Sequence, residues 1–294
     1  GSDELEVETA DSLADALKGL TNIGAEESSY FELPELDLDN VIIPNDEIHN
    51  NMKTYWAEEF EGIKHRYDME GNSRYLETFE KRFEVVDADF IKFKRSAQKE
   101  VNYLVKEFEC KKSADSYARA TTARTGVLDC TKLHTYKYNE DLFKKVTTLA
   151  DGKNHGLIFI LDWSGSMQHV LHDTVKQLYN LLWFCKKVNI PFEVYAFTNE
   201  YPRGNVDYHH KMISAYEKKS GLAIIESTFS LMNLFTSKVK GKELEEHMKH
   251  IFRLSARCYS RDYGLYGFPL GMNLSGTPLN ETLVALHQIL PKFQ

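Results

Sequence analysis

Residues Leu157–Met167 read Leu-Ile-Phe-Ile-Leu-Asp-Trp-Ser-Gly-Ser-Met and join an apolar run to a polar loop. The run Leu157–Leu161 is far shorter than the roughly 20 residues of a membrane span, and it predicts a strand buried on both faces, as in a parallel sheet. A helical spacing follows in the apolar residues Val170, Leu171, Val175, Leu178, Leu182 and Cys185. The loop therefore lies between the carboxyl end of a strand and a helix, where open α/β sheets place their ligand sites.

The loop carries three oxygen-bearing side chains at alternate positions, Asp162, Ser164 and Ser166, and Gly165 permits a sharp turn between the serines. Hard oxygen ligands without a nearby cysteine suit Mg²⁺, or else Mn²⁺ or Ca²⁺, rather than zinc. Two hydroxyls and one carboxylate leave such a cation incompletely ligated, so it can accept a carboxylate from another molecule. The alternative is that Asp162 caps the helix and both serines are ordinary turn residues.

A second loop of the same character occurs near the end of the sequence. Ser275-Gly276-Thr277-Pro278-Leu279 precedes a helical pattern of leucines at 279, 283, 286 and 290. A buried strand followed by Asp-x-Ser-x-Ser, with a later Gly-Thr-Pro-Leu loop, resembles the von Willebrand factor A (VWA) family. The resemblance implies a metal-dependent adhesion site in which Ser164, Ser166 and Thr277 contact the cation directly. Asp162 would act directly or through a water molecule.

The remaining pattern predicts an α/β fold with a doubly wound, mostly parallel, Rossmann-like sheet in residues 121–294. Pro191–Thr198 predicts a second strand, and a segment near Leu142–Leu149 predicts an antiparallel hairpin with Leu157–Leu161. Residues 49–120 predict a helical region, most clearly in the stripe Phe90, Phe93, Ala97, Val101, Leu104 and Phe108. Residues 1–48 predict an acidic, flexible or extended arm.

The formal net charge of −8 is unevenly distributed. Residues 1–50 hold 14 Asp and Glu and one Lys, so the rest of the chain is mildly basic. The arm is either a solvated tail or a segment that lies on a basic partner. The cysteines Cys110, Cys130, Cys185 and Cys258 lack metal or disulfide spacing, which favours reduced core thiols and a cytoplasmic location. The sequence contains no membrane-spanning pattern.

Several functions lack their sequence signature. No phosphate-binding Gly-x-x-x-x-Gly-Lys-Ser/Thr loop, His-Glu-x-x-His motif or nucleophile elbow occurs, so ATP hydrolysis by the chain alone is not expected. Direct nucleic-acid binding is not expected either, because residues 111–126 lack basic density. The pairs Glu243/His247 and Glu246/His250 could bind a metal, but helix-surface pairs are the favoured interpretation. The remaining histidines considered, His169, His172, His209 and His210, are expected at the surface.

A narrower resemblance rests on several pieces together: Gly126-x-Leu-Asp-x-x-x-Leu133, Leu-Asp-Trp-Ser-Gly-Ser-Met and Ser-Gly-Thr-Pro-Leu. These resemble the T subunit of aerobic cobaltochelatase, a CobT-like family with phage-encoded members. The resemblance covers residues 120–294 well. It implies a hexameric AAA+ ATPase of the MoxR/CobS class as partner, and a porphyrinoid-binding chelatase subunit as a second partner. The family's third metal motif is an Asp at the end of the next strand, and this sequence ends at Gln294 before that strand, so the metal site implied by the resemblance is incomplete as given.

Two functions follow from this resemblance. The first is a non-catalytic subunit of a metal chelatase, which grips its ATPase partner through Mg²⁺. The second is a non-chelatase adaptor that binds or remodels protein or nucleoprotein clients during phage infection, in the host cytoplasm. A metal-free structural domain is a third reading.

Overall fold

The structure is a computed structural model that describes residues 31–70, 73–118, 121–122, 126–138, 142–143, 145–146, 156–201, 217–259 and 266–293. Most of the predicted acidic arm, and the predicted surface residues His209 and His210, lie outside this part. The helices are α1 (Leu38–Val41), α2 (Asn45–Glu70), α3 (Ser73–Glu80), α4 (Glu84–Ala118), α5 (Leu171–Lys187), α6 (Gly241–Tyr259) and α7 (Leu279–Phe293). The strands are β1 (Ile42–Ile43), β2 (Thr121–Thr122), β3 (Lys145–Val146), β4 (Leu157–Leu161), β5 (Phe192–Thr198) and β6 (Ser230–Thr236). Within the described residues, no helix is long and apolar enough to cross a bilayer.

The main sheet has four strands in the order β1-β6-β5-β4. β4 runs parallel to β5, β5 antiparallel to β6, and β6 parallel to β1. The fold is therefore mixed α/β, and two of the three strand pairings are parallel. The parallel pair sets Leu161 opposite Ala196, so the carboxyl ends of β4 and β5 lie side by side.

Two predictions about β4 differ from the structure. The predicted hairpin is wrong for the described residues, because β3 pairs with β2 and β4 pairs with β5. A hairpin prediction depends only on nearness in the sequence, whereas β4 pairs along its whole length with β5, a strand buried at every residue. β4 is also not buried on both faces, because it is the last strand in the described order: Leu157 is exposed, the next three residues are half-buried and only Leu161 is buried.

Helices cover both faces of the sheet. On one face, Val194, Ala196 and Leu234 belong to a large cluster that includes residues of α2, α4, α5 and α6. On the other face, Tyr195 and Phe197 pack in a smaller cluster with residues of α1 and α7. β5 is buried along its whole length, and its alternate residues supply the two clusters. Strands covered on both faces read as continuous apolar runs, and this explains the composition of β5.

The predicted helices of residues 49–120 are confirmed as α2, α3 and α4. On α4 the residues Phe90, Ala97 and Val101 are buried, and α4 packs against α5 and α6. These helices contribute Met52, Trp56 and Phe90 to the large cluster of the sheet. The helical region therefore shares one hydrophobic core with the sheet.

Residues 35–48 contribute to both clusters, Ile43 and Ile48 to the large one and Leu36 and Val41 to the smaller one. Val41 and Ile43 are buried, and β1 adds a strand to the main sheet. The predicted arm is thus shorter than 48 residues, because alternating apolar residues in this segment find a place beside β6. By internal contacts the chain forms two units, Gly1–Pro34 with Glu217–Ile224, and Glu35–Tyr216 with Ile225–Gln294. In the first, the backbone of Glu32 bonds Gly221 and Ala223.

α5 ends through local chemistry that can be traced in the sequence. Lys186 and Lys187 lie in its last turn, where positive charge complements the partial negative charge of a helix C-terminus. Asn189 then adopts a left-handed backbone with φ of 57°, and Ile190 N donates to Cys185 O at 2.9 Å. This is a Schellman stop, and it directs the chain into β5.

Candidate metal-binding site

The loop after β4 is folded by its own side chains. Asp162 Oδ1 accepts a hydrogen bond from Ser164 N at 2.9 Å, which is an Asx turn. The hydroxyl oxygens of Ser164 and Ser166 lie 2.9 Å apart. Ser164 is buried whereas Ser166 is exposed, so the pair reaches from the core to the surface. The structure therefore brings the three predicted residues of this motif together in one turn.

The alternative in which Asp162 caps the next helix is not what the structure shows. The loop continues into a short 3₁₀ turn, Gly165–Met167, and α5 begins only at Leu171, after Val170. Val170 caps the helix without a side-chain hydrogen bond. Asp162 does form a turn, as that alternative also expects of this loop, because its carboxylate accepts from the backbone N–H two residues ahead.

The second predicted loop lies directly against the first. Ser164 and Ser275 form a parallel β-bridge, in which Gly165 N donates to Ser275 O at 2.8 Å. The buried Trp163 strengthens this connection, because its Nε1 donates to Met272 O at 3.0 Å. Thr277 follows two residues after the bridge and is exposed. All four predicted site residues thus belong to two loops that hydrogen-bond to each other.

Two residues directly after β5, Asn199 and Glu200, contact the second loop, and neither lies in a sequence motif identified above. Ser275 Oγ lies 2.8 Å from Asn199 Oδ1 and 2.9 Å from Glu200 Oε1. Gly276 N donates to Asn199 Oδ1 at 3.3 Å. Their position could have been inferred from the sequence only as a polar Asn-Glu pair that follows a predicted parallel strand. The signal is weak, since such pairs are common after strands.

The donor set fits a hard divalent cation. Mg²⁺–oxygen distances of about 2.1 Å place neighbouring ligands of an octahedron about 3 Å apart. The 2.9 Å between the hydroxyl oxygens of Ser164 and Ser166 matches that spacing. Among the described residues no group of three or more His, Cys, Asp or Glu side chains could hold a metal ion.

A second polar cluster, which we call the histidine cluster, consists of His49, His247 and His250. All three are nearly inaccessible to solvent. The rings of His49 and His247 stack with centroids 3.7 Å apart, and His49 Nδ1 lies 3.1 Å from His250 Nδ1. His49 Nε2 lies 2.8 Å from Leu234 O, which can only accept, so His49 Nε2 carries the hydrogen. His250 Nδ1 then donates to His49 Nδ1, and both rings are neutral.

Burial is the main cause of this neutrality. It lowers the pKa of His49 well below the ordinary value, and it lowers the pKa of His250 to about 3 with a further contribution from the charge of Arg253. Burial lowers the pKa of His247 as well. The histidine cluster joins α2 to α6 and to the backbone of β6. Its chemistry is that of a packed core, with Trp56 edge-on to His250.

Two predictions about histidines are therefore wrong. His247 and His250 are not on the helix surface, and the carboxylate of Glu246 bonds Lys53 at 3.2 Å instead. His172 is also buried, with Nδ1 3.0 Å from Ser255 Oγ, and burial lowers its pKa to about 4. The predicted exposure of His169 is confirmed. Helical spacing alone did not show which face α2 would cover.

The cysteine prediction is confirmed only in part. All four cysteines are free thiols, and Cys185 is buried in the core. Cys110 and Cys130 are exposed, and Cys258 is partly buried, so they are not all core residues. Burial raises the pKa of the Cys185 thiol to about 11, which keeps it protonated.

Comparison with protein-family models, with curated proteins and with solved structures gave no match for this chain.

Proposed function

We propose that this chain is a VWA-type module that binds a divalent cation, Mg²⁺ in the first instance, through Ser164, Ser166 and Thr277. The observation that carries the proposal is the β-bridge between Ser164 and Ser275, which joins the two loops. Helices on both faces of the sheet support a doubly wound VWA fold. Asp162 orients Ser164 through the Asx turn and would reach the cation directly or through water.

A cation bound there supplies a Lewis-acid contact for a carboxylate of another protein. The chain's own residues prepare that contact. The exposed Ser166 and Thr277 leave the site open to solvent, and the buried Ser164 and Trp163 anchor it in the core. Three neutral hydroxyls and the single carboxylate of Asp162 do not cancel the two positive charges of the cation, so a bound dication keeps its attraction for an incoming carboxylate.

For the partner we propose a hexameric AAA+ ATPase of the MoxR/CobS class, and for the assembly a cobaltochelatase-like complex in the cytoplasm. The support is the CobT-like resemblance of residues 120–294, together with the absence of a phosphate-binding loop from this sequence. The chain would be the non-catalytic subunit that transmits ATP-driven motion to a client. A porphyrinoid-binding subunit would be that client in a chelatase.

The test is assembly with such an ATPase, measured by size-exclusion chromatography with light scattering in ATP and Mg²⁺, and again in EDTA. We expect a large complex that forms with the wild type and not with Ser164→Ala plus Ser166→Ala. Ser96→Ala is the matched control, because Ser96 is an exposed serine on α4 that bonds only the local carbonyl of Phe93. The EDTA arm requires that the ATPase ring alone survives the chelator.

Two results would contradict the proposal. A complex that forms equally well with the double variant would remove the metal bridge, and no complex under any condition would remove the ATPase partnership. If the complex forms, the client protein that it binds distinguishes the two proposed functions. A tetrapyrrole-binding subunit supports a chelatase, whereas protein or nucleoprotein clients support a remodelling adaptor.

A further inference from the structure

Asn199 connects the end of β5 to the loop that carries Thr277. Because β4 and β5 are parallel and Leu161 lies opposite Ala196, Asn199 follows β5 at the same level as Ser164 follows β4. Its side chain is half-buried at this edge of the sheet. Asn199 thus stands beside the candidate metal site without belonging to either of its two motifs.

The amide oxygen of Asn199 accepts two hydrogen bonds from the second loop. One comes from Ser275 Oγ at 2.8 Å, and the other from Gly276 N at 3.3 Å. The first loop also holds this loop, through the bonds from Gly165 N to Ser275 O at 2.8 Å and from Ser275 N to Trp163 O at 3.4 Å. The side chain of Asn199 adds a restraint from a third segment, β5, on the two residues before Thr277.

The absence of a side chain at Gly276 fits the same arrangement. A Cβ atom there would lie 2.9 Å from Asn199 Nδ2 and 3.4 Å from Asn199 Oδ1. Real Cβ atoms rarely approach so closely, so an alanine at 276 would push the amide away from the loop. Asn199 and Gly276 are thus matched in shape, and the match brings the backbone of the second loop close to the end of β5.

From these contacts we infer that Asn199 is a positioning residue for the cation site, which holds Ser275 and Gly276 so that Thr277 can complete the ligand set with Ser164 and Ser166. The inference rests on the proposed cation binding. Asn199 acts through the loop and does not itself touch the ion. Residues that orient metal ligands in this way typically change metal affinity by about 10- to 100-fold when they are replaced.

Glu200 offers an internal comparison. Its Oε1 lies 2.9 Å from the same Ser275 hydroxyl, but Glu200 is exposed and has no bond to Gly276. A hydroxyl has a single hydrogen, so it can be fully donated to only one acceptor. Removal of Glu200 leaves Asn199 to accept it, whereas removal of Asn199 also releases Gly276 N.

The experiment measures Mn²⁺ binding by the electron paramagnetic resonance of the free ion, with Mg²⁺ as competitor, on the whole chain. Asn199→Leu keeps the approximate size and removes the acceptor, and we expect its Mn²⁺ affinity to fall about 10-fold. Asn199→Asp keeps an acceptor for both bonds and should bind at least as tightly as the wild type. Glu200→Ala should lose less affinity than Asn199→Leu, because the bond from Gly276 N to Asn199 Oδ1 stays in place. Ser96→Ala on α4 is the control that should bind like the wild type.

A double-mutant cycle protects the test against simple misfolding. As a single change, Gly276→Ala should weaken Mn²⁺ binding. Combined with Asn199→Ala it should add little further loss, because the smaller side chain at 199 leaves space for the new methyl group at 276. The unfolding temperature of each variant without metal shows whether the fold is intact. A structural role alone would lower that temperature without restoring binding in Asn199→Asp.

The results separate the two claims. If the wild type takes up no Mn²⁺ that Mg²⁺ displaces, the proposed cation site is lost and the role of Asn199 is lost with it. If the wild type binds and Asn199→Leu binds equally well, the cation site stands and the inference about Asn199 is overturned. Additive losses for Asn199→Ala and Gly276→Ala would also overturn it.

Discussion

The chain has two polar clusters that treat charge in opposite ways. The loops around Ser164 and Ser275 gather oxygen atoms at an open edge of the sheet, where a cation can be accommodated. The histidine cluster of His49, His247 and His250 gathers nitrogen atoms inside the core, where burial opposes even a proton. Both clusters consist of residues with metal-ligating chemistry. Exposure and protonation, rather than residue type, therefore decide which of the two clusters is a candidate metal site.

The largest effect we expect is a loss of stability in acid caused by the histidine cluster. The folded-state pKa values of all three residues lie below the ordinary value, so below about pH 6.5 the unfolded chain binds more protons than the folded one. The contribution of these neutral rings to the unfolding free energy is fully present above that pH and decreases as the pH falls. For His250 the decrease continues until about pH 3. At pH 5.5 each fully excluded histidine costs about 1.4 kcal/mol, so the cluster costs up to about 4 kcal/mol.

Urea unfolding at pH 7.5 and pH 5.5 measures this effect. The charged residues near the cluster are Asp46 and Lys53 on α2, and Glu243, Glu246, Lys249 and Arg253 on α6. Since their charges are of both signs, the desolvation of the rings should dominate the pH dependence. Equal unfolding free energies at the two pH values would contradict the assignment of neutral, buried rings.

The next largest effect concerns the oxygen cluster. If the chain binds Mg²⁺, a concentration one hundred times the dissociation constant should raise the unfolding free energy by about 2.7 kcal/mol. Ser164→Ala with Ser166→Ala should abolish this increase, while Ser96→Ala on α4 should retain it. Thermal unfolding across a Mg²⁺ titration provides the measurement. An undiminished increase in the double variant would place the cation elsewhere.

Trp163 tests the scaffold that holds the oxygen cluster. Trp163→Phe removes the donor to Met272 O and leaves that carbonyl buried beside a smaller ring, so we expect a loss of about 2 kcal/mol. Trp183→Phe is the control, because Trp183 is partly buried and its indole has no hydrogen bond within the described part of the chain. Chemical denaturation compares the two. Equal losses would show that the bond to Met272 contributes little.

The smallest effect is a change in the pH dependence itself. His247 stacks on His49, and its Nδ1 is buried without a hydrogen-bond partner among the residues that the structure describes. His247→Phe preserves the stacked ring and removes one titrating group. The difference in unfolding free energy between pH 7.5 and pH 5.5 should shrink by up to about 1.4 kcal/mol. Stability at pH 7.5 should stay the same or increase, and a clear decrease there would show that the imidazole itself is required.

The sequence alone determined the local parts of this protein. The spacing of apolar residues predicted α4 and α5, and the segment Pro191–Thr198, in which apolar residues predominate, predicted β5, because these patterns report which side chains must leave water. Short-range motifs also placed the four candidate ligands in loops: Asp162, Ser164 and Ser166 in the loop after β4, and Thr277 in the second loop. Their chemistry depends on residue type, which a sequence states directly.

Only the tertiary structure decided which of these parts meet. The partner of β4, the Asn199 contact with the Thr277 loop and the burial of His247 and His250 all join residues that are distant in the chain. Such contacts depend on how helices and strands pack. A helix face that carries polar residues can still be buried by another helix. This happens on α6, where α2 covers the face that carries His247 and His250. Local periodicity contains no information about that choice, and for this reason the histidine cluster was invisible in the sequence.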